Sequence, residues 1–499
     1  MKLTCRAGLA ASLVLVGALE AQQLTLTKSG GAVPGTTTMG LAGGDANALY
    51  VLVAAPREAA TLLPSGAQLD VPLDWLSLFP SLGLIGHLDG AGRAQKALLF
   101  PNDATLVGRT ISFQAVSAPG FSRVSNLVRL TLASAGTFRE TLGAPALPMS
   151  GGAVVAREGS HYLLVGGSGP LAQVYDANRE EFTLGGASFG VGLLSQATAL
   201  ADGRVLFSGG LAGNGQPTAA AALYDPSTGT TTVLTMGHAR AGHGASLLSN
   251  GKVLITGGFA ALDFTDPLAL LLGIQNTTEL FDPVSGAFVP GPSLLEARAL
   301  HSSTSLATGG ALIAGGLSIV PIVNLPTVSS TAYEYNVAFN TFGLPRFMGT
   351  GRLMHSATRL ANGKVLVVGG LGLDFTTFLA TGNLADLAVT THATGELYTS
   401  GLFGSFSAAG TLGEGRAGAG IVALPGNQAL IAGGFEFAFG AGGTFVLQAR
   451  ASAERFSGTT LAPTGAMAGA RLFPLLTPLD DGTVLVLGGG ALAAEVYQP

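Results

Sequence analysis

The sequence predicts an all-β protein, with a seven-bladed β-propeller preceded by a small β-sandwich domain. Three observations predict this fold: a glycine doublet that follows an apolar strand seven times, a fixed leucine and glycine register before each doublet, and an N-terminal region of short alternating strands without the repeat. Of the 499 residues, 47% are hydrophobic and 75 are glycine. This much apolar surface excludes general disorder, and the glycines favour short strands joined by tight turns.

Charge and hydropathy argue against a nucleic-acid-binding protein and against a membrane-spanning one. Charged residues make up only 11% of the chain, the formal net charge is −5, and no run of Lys or Arg occurs. A nucleic-acid-binding domain normally carries a basic patch, so no nucleic-acid partner is expected. After the N-terminus no apolar stretch reaches the ~18 residues of a spanning helix, so no membrane span is expected.

The first residues read as an export signal. Lys2 and Arg6 precede an apolar run from Ala7 to Leu19, and small residues then offer a cleavage site near Ala21. This predicts a signal peptide over residues 1–21 and an extracytoplasmic protein, secreted or periplasmic. The alternative is a frayed N-terminal helix of a cytosolic protein. Because Cys5 is the single cysteine, the mature chain is expected to have no disulfide and no thiolate ligand.

Residues 22–133 are predicted to form the β-sandwich accessory domain. Short runs such as Ala48–Val53 and Ile111–Val116 alternate or cluster apolar residues, with Gly, Pro and Asn or Asp between them. That pattern is typical of a small antiparallel sandwich. Trp75, the only tryptophan, either packs in the core of this domain or lies exposed and stacks on a sugar ring.

The rest of the chain is a repeat. Successive glycine doublets are separated by roughly 40–65 residues, a period that indicates repeated structural units. The doublets are Gly166-Gly167, Gly209-Gly210, Gly257-Gly258, Gly315-Gly316, Gly369-Gly370, Gly433-Gly434 and Gly488-Gly489.

The register within each repeat predicts its strands. A leucine always lies three residues before the first glycine of the doublet, and a glycine usually lies six before it, as with Leu254 and Gly251. Read forward, this is strand, turn, strand and doublet. A third strand then ends in an aromatic residue such as Phe281, and a fourth follows a turn such as Asp282–Gly286. Each repeat is thus a four-stranded antiparallel meander, and such units arranged radially make a propeller.

The seventh repeat lacks a fourth strand of its own, because the third strand ends at Tyr497. Just before the first repeat, Gly136-Thr137-Phe138 matches Gly286-Ala287-Phe288 of the third. We therefore expect the propeller to comprise residues 134–499, with residues of about 135–141 completing the last blade and removing an open sheet edge.

From about Met149 to Pro499 the repeats resemble kelch repeats of the galactose oxidase-like propeller type, most clearly from Arg240 to Phe288. The resemblance raises the copper-radical chemistry of that family, which needs a cysteine cross-linked to a tyrosine. Cys5, in the predicted signal, cannot supply it. The chain is therefore expected to lack the copper-radical site and to carry no cofactor.

Five arginines share one position, because each precedes the first glycine of its doublet by the same interval that separates Arg240 from Gly257. They are Arg240, Arg298, Arg352, Arg416 and Arg471. Glutamates recur two residues before the third-strand aromatic, at Glu279, Glu396, Glu454 and Glu495. One interpretation makes the arginines a ligand-binding set for acidic groups. The other makes each an Arg–Glu pair that pins its blade, although the repeat of Arg298 has Tyr333 in place of Glu.

Three histidines are also equivalent, each three residues after one of these arginines: His243, His301 and His355. Metal ligation needs ligand atoms ~2.0–2.1 Å from the ion, whereas equivalent positions on separate blades should lie much farther apart. No metal is therefore expected, and these histidines are predicted to pack at the start of the inner strands.

Long loops after the second strands predict an interaction face. They contain the apolar segments Leu268–Leu272 and Phe435–Phe439, and large apolar patches usually mark interaction sites; alternatively the loops pack on one another. The favoured function is a secreted or cell-envelope, non-catalytic binding protein for protein or glycan partners. The alternatives are a sugar-acting enzyme, such as a mutarotase or epimerase of carboxylated sugars with Glu296 or Glu414 as base, and a structural surface component. The sequence leaves the ligand and the oligomeric state open.

Overall fold

A computed structural model describes residues 23–73, 84–147, 149, 152–157, 159–166, 171–187, 192–263, 273–320, 325–382, 386–439, 445–490 and 493–499. The predicted signal peptide, Trp75 and the Leu268–Leu272 segment lie outside the described residues. The chain divides into two compact units. The smaller comprises the described residues within 1–27, 39–96 and 111–128, and the larger comprises residues 28–38, 97–110 and 129–499.

The smaller unit is centred on the buried strand Leu49–Ala55, which pairs antiparallel with Ile85–His87 on one side and with Thr110–Ser117 on the other. Consecutive residues of the two central strands are buried, Leu52 and Phe113 among them. The strands found between residues 25 and 131 are Thr25–Ser29, Gly35–Ala42, Leu49–Ala55, Thr61–Leu62, Gln68–Leu69, Ile85–His87, Ala94–Phe100, Thr110–Ser117, Arg123–Val124 and Val128–Thr131.

The larger unit contains, within its described residues, seven antiparallel sheets built on the same four-stranded plan, which we number in chain order. Sheet 1 consists of Ala153–Arg157, His161–Val165, Leu171–Asp176 and Glu181–Ala187. Sheet 2 consists of Gln196–Ala199, Val205–Ser208, Ala220–Asp225 and Thr230–Thr235. Sheet 3 consists of Gly244–Leu247, Val253–Thr256, Thr278–Asp282 and Ala287–Pro290. Sheet 4 consists of Ser302–Ser305, Ala311–Ala314, Thr331–Asn336 and Thr341–Phe342, with Arg346–Phe347 also paired to its third strand.

The last three sheets follow the same plan. Sheet 5 consists of Ser356–Arg359, Val365–Val368, Thr394–Thr399 and Ser405–Thr411. Sheet 6 consists of Gly420–Leu424, Gln428–Ala432, Ala453–Ser457 and Leu461–Pro463. Sheet 7 consists of Leu475–Pro478, Val484–Leu487, Glu495–Gln498 and, from earlier in the chain, Thr137–Glu140. The all-β fold with four-stranded antiparallel sheets, which the register predicts, is thereby confirmed.

Apolar side chains on both faces of the second strands explain how these sheets associate. Buried clusters join each sheet to the next along the chain, and one further cluster, with Tyr162 and Leu485, joins sheet 7 to sheet 1. The larger unit is therefore a closed, propeller-like series. Within most sheets the third-strand aromatic packs on a fourth-strand aromatic, for example Phe281 on Phe288 with ring centroids 4.9 Å apart.

The strand near residues 135–141, which the sequence predicts to complete the last four-stranded sheet, pairs with that sheet. Thr137–Glu140 lies antiparallel to Glu495–Gln498, with Phe138 opposite Tyr497 and their ring centroids 4.8 Å apart. A strand from before sheet 1 thus forms the outer edge of sheet 7, so both ends of the repeat region share one sheet.

Shorter elements lie in the loops that follow the second strands. Within the described residues, three strand pairs occur there: Leu317–Val320 with Leu325–Val328, Leu371–Asp374 with Ala388–Thr391, and Phe435–Phe439 with Phe445–Ala449. Leu317–Val320 also pairs with Arg298–Ala299, which precedes the first strand of sheet 4. One α-helix, Thr376–Thr381, lies in the second of these loops, and a 3₁₀ helix spans Ala104–Leu106. Among the described residues no helix has the length and apolar character needed to cross a bilayer.

Candidate functional site at the axial end of the first strands

The glycine doublets mark where one sheet contacts the chain entering the next. Gly315 has φ +65°, and a Cβ on it would lie 2.3 Å from the carbonyl oxygen of Arg352. The adjacent Gly316 donates its N–H to that same oxygen at 2.8 Å. Equivalent 2.8 Å bonds join four more doublets to the next arginine: Gly210 to Arg240, Gly258 to Arg298, Gly370 to Arg416 and Gly434 to Arg471.

The side chains of the five arginines are buried, each 0 to 1% exposed. In Arg352, Nη1 donates to the carbonyls of Gly369 (2.7 Å) and Thr394 (3.0 Å), and Nη2 donates to Oε1 of Glu396 at 2.7 Å. Burial lowers the pKa of Arg352, and the bond and charge of Glu396 oppose that shift. An arginine keeps its proton in proteins, so Arg352 remains a cation inside its own repeat.

The other pairs repeat this geometry. Nη2 meets a glutamate Oε1 in Arg240–Glu279 (2.7 Å), Arg416–Glu454 (3.0 Å) and Arg471–Glu495 (2.8 Å). The carboxylates also accept backbone N–H groups from the segment that precedes the arginine, as Glu396 does from Gly349 at 2.8 Å. Each pair thus fixes the chain that enters its sheet.

In the repeat of Arg298, Glu296 takes the place of the glutamate that is missing from the third strand. Its Nη2 donates to Oε2 of Glu296 at 3.0 Å, and the hydroxyl of Tyr333 donates to the other oxygen of Glu296 at 3.0 Å. The guanidinium carbon also lies 5.0 Å from the centre of the Tyr333 ring. Glu296, named from the sequence as a candidate base, is therefore held by Arg298 and Tyr333.

Glu414, the other candidate base, is 46% exposed and accepts a 2.6 Å bond from the Ser452 hydroxyl. That bond, followed by the charges of Arg450 and Arg416, holds its pKa below the ordinary value. The five arginines, predicted as ligand-binding candidates, thus lie inside separate repeats with carboxylates and carbonyls, which is the geometry of the blade-pinning alternative.

The three equivalent histidines bridge neighbouring sheets. Their Nε2 atoms lie beside hydroxyls of the preceding sheet: 2.8 Å for His243 to Ser208, 2.9 Å for His301 to Thr256 and 2.8 Å for His355 to Ser302. Burial, and then the charge of the neighbouring arginine, lowers the pKa of His243 and of His355 to about 3. The same causes lower the pKa of His301 well below its usual range. All three rings are therefore neutral near pH 7.

These histidines line a cavity of about 400 Å³ where several first strands begin. Six lining residues occupy equivalent positions in six repeats, and we call them the axial collar. Each lies two positions after the recurring arginine or the residue that replaces it. Its members are Leu194, Gly242, Leu300, Met354, Gly418 and Phe473. Every member has a left-handed backbone, with φ between 50° and 62°.

Hydrogen bonds run around the collar from repeat to repeat. The N–H of Gly242 donates to the carbonyl of Leu194 (2.8 Å), and that of Leu300 donates to Gly242 (2.7 Å). Met354 continues to Leu300 and Gly418 to Met354, each at 2.9 Å. Because these hydrogen bonds join backbone groups, they place no restriction on the side chains of the collar. The collar residues are Leu, Met, Phe and Gly.

The sequence reasoning missed the collar. It singled out Arg240 and His243 and passed over Gly242 between them, because the collar position tolerates several residue types. The available signal was its fixed place between the recurring arginine and histidine, together with an apolar or glycine residue in every copy named above.

The loops after the second strands pack on one another beside the collar. One buried cluster combines Phe259, Leu317, Leu371 and Phe435 from four successive loops, and Leu300 and Met354 pack against it. Next to it is an apolar groove of about 460 Å³. Its lining is Leu353, Leu371, Leu373, Leu387, Val389, Phe437 and Leu447.

The comparisons with known proteins leave the family open. No protein-family model and no curated protein matches this chain. A solved structure described as "Structure of YjhT" is similar with a TM-score of 0.46 and 16% sequence identity, over 64% of this chain and 99% of that one. The propeller-like architecture described above therefore rests on the strand pairing of this chain itself.

Proposed function

We propose that this chain is an exported, non-catalytic binding protein built on a seven-bladed kelch-type β-propeller of the galactose oxidase-like kind, preceded by a β-sandwich domain. The seven sheets of one plan, joined in a closed series by buried clusters, support the propeller. The basic and apolar N-terminal residues support export to the periplasm or the cell exterior.

The observation that carries the binding role is the loop-rich end of the larger unit. The axial cavity and the apolar groove both lie among its loops and first strands, and their sizes fall in the range of ligand pockets, roughly 300–1,000 Å³. Leu447 in the groove is 49% exposed, and Val446 next to it in the sequence is 44% exposed. Exposed apolar surface of this kind marks interaction sites, and it favours a protein partner over a glycan at the cell surface.

The alternative of an enzyme for carboxylated sugars needs guanidinium groups and a base that converge on a substrate. Here the arginines contact their own carboxylates, and the described lining of the axial cavity contains no Asp, Glu, Lys or Arg. The geometry therefore favours binding.

A paired-variant binding assay tests this proposal. The wild type, Leu447→Asp and, as a control on a distant turn, the 94% exposed Val284→Asp are applied to arrays of envelope proteins and cell-surface glycans. We expect wild type and Val284→Asp to bind the same partner and Leu447→Asp to lose it. Accelerated anomer exchange of a carboxylated sugar, measured by NMR and lost in Glu414→Gln, would instead establish the enzyme alternative.

A further inference from the structure

The chemistry of the axial cavity restricts what can enter it. Leu300, Met354 and Phe473 supply apolar surface, and Leu193 and Phe473 are 69% and 48% exposed at its mouth. Polar atoms come from Ser195, Gln196, Ser356 and the three histidines; Ser356 already donates to the carbonyl of Ala419 at 2.7 Å. The described lining is thus apolar with a few neutral polar groups.

The five recurring arginines beside this cavity donate their hydrogen bonds elsewhere. Each lies two residues before a lining position, yet each is 0 to 1% exposed and donates to carboxylates and carbonyls. Transferring an ion from water into such surroundings without a partner is strongly unfavourable. A charged ligand would therefore lose hydration without gaining a counter-charge.

Resting on the function proposed above, we infer that the axial cavity binds one uncharged, largely apolar, ring-sized group, such as an aromatic side chain presented by a partner protein. The volume of about 400 Å³ accommodates such a group. The series of backbone hydrogen bonds from Leu194 to Gly418 holds this side of the cavity in shape before the ligand arrives, which limits the ordering cost of binding.

Three probes with the same ring system test the selection by charge. Indole is neutral, indole-3-acetate is an anion and tryptamine is a cation at pH 7. We expect indole to show saturable binding in ligand-observed NMR, at least about tenfold tighter than either charged probe. Equal or tighter binding of either ion would overturn the inference while leaving the cavity as a site.

A matched pair of collar variants locates the probe. Met354 has φ +51°, a conformation that Asn and Asp adopt more readily than other residues, so both Met354→Asn and Met354→Asp should fold. We expect Met354→Asp to weaken indole binding at least about tenfold more than Met354→Asn, because only Asp brings a charge. Equal affinities in the two variants, or no saturable indole binding by the folded wild type, would refute the inference. The array assay with Leu447→Asp is independent of this result and judges the binding function separately.

Discussion

At the residue scale, each buried arginine does two jobs with different atoms. Its backbone carbonyl accepts the N–H of the previous repeat's doublet, as Arg352 does from Gly316. Its side chain pairs with a glutamate of its own sheet, as Arg352 does with Glu396, except in Arg298. A single arginine thus links the contact to the previous repeat with the ion pair inside its own repeat. The sequence predicts the Arg–Glu pairing from spacing alone, but not the use of Glu296 by Arg298, because those residues are two positions apart and outside the repeated register.

The Arg352→Ala variant should be strongly destabilised. The change leaves Glu396, 8% exposed, without its counter-charge, and breaking a buried pair in this way costs about 3–5 kcal/mol of unfolding free energy. Chemical denaturation measures the loss, with the exposed Arg359→Ala as control. The double variant Arg352→Met with Glu396→Leu should recover part of it, since no lone charge remains. If Arg352→Ala is as stable as the wild type, the ligand-binding interpretation of the arginines is favoured instead.

Acid should weaken the fold through the neutral histidines. The pKa of His355 is about 3 in the folded protein, against about 6.5 for an exposed ring, so the unfolded chain binds more protons between those values. Stability is therefore full above about pH 6.5 and falls as the pH drops towards 3, by up to about 1.4 kcal/mol per pH unit for each such ring. His355→Gln should show a shallower fall of unfolding free energy from pH 6.5 to 4. A slope identical to that of wild type would contradict the assignment.

At the scale of the element, the repeat can be recognised from the sequence because its characteristic residues lie close to a doublet or to a turn. Turn glycines, the buried leucine of the second strand and the third-strand aromatic all lie within a few residues of the doublet or of a turn, so one pass along the chain finds them. The collar and the packing of the loops depend on contacts between repeats, such as Leu300 with Gly242, and a single repeat does not reveal them.

The doublet itself can be tested by adding one methyl group. Gly315→Ala places a Cβ 2.3 Å from the Arg352 carbonyl oxygen, so sheets 4 and 5 must separate locally. Gly286→Ala is the matched control, because Gly286 has nearly the same φ, +68°, but nothing within 4 Å of the added atom. The control should lose only the left-handed backbone cost, about 1–2 kcal/mol. We expect a clearly larger loss in Gly315→Ala, measured by denaturation; equal losses would mean that the close approach is unimportant.

At the scale of the whole molecule, the larger unit includes residues that the sequence pattern predicts to belong to the accessory domain. The predicted accessory domain spans 22–133, yet residues 28–38 and 97–110 belong to the compact unit that holds the seven sheets. Lys28 is the clearest case: it is 7% exposed and its Nζ donates to the Arg129 carbonyl at 2.6 Å. The absence of the repeat before about residue 134 predicts the domain boundary, whereas the two compact units are defined by contacts between residues far apart in the sequence.

Lys28 belongs to a buried charge cluster where the series of sheets closes. Its Nζ lies 3.4 Å from Glu180, in a turn of sheet 1, and 3.9 Å from Asp481, in a turn of sheet 7. Arg139 of the closing strand binds both oxygens of Glu180 at 2.6 and 2.7 Å. Burial alone would raise the pKa of Glu180, but the charges of Lys28 and Arg139 outweigh it and hold the pKa below the ordinary value. The stability from this carboxylate is therefore present at neutral pH and lost as the pH falls through its lowered pKa.

Removing that carboxylate should open the closure before the rest of the fold. Glu180→Gln leaves Lys28 and Arg139 without their shared counter-charge, which should cost about 3–5 kcal/mol. The neighbouring Glu181→Gln is the control, because the Glu181 side chain is 43% exposed and water can solvate the charges of its pair with Arg129, so its loss should cost much less, about 1 kcal/mol. Hydrogen exchange distinguishes local from global effects. In Glu180→Gln the amides of Glu495–Gln498, paired with the closing strand, should exchange faster than those of Thr278–Asp282 in sheet 3. Uniform acceleration in all sheets would mean that the closure has no stability of its own and that the larger unit unfolds as one cooperative body.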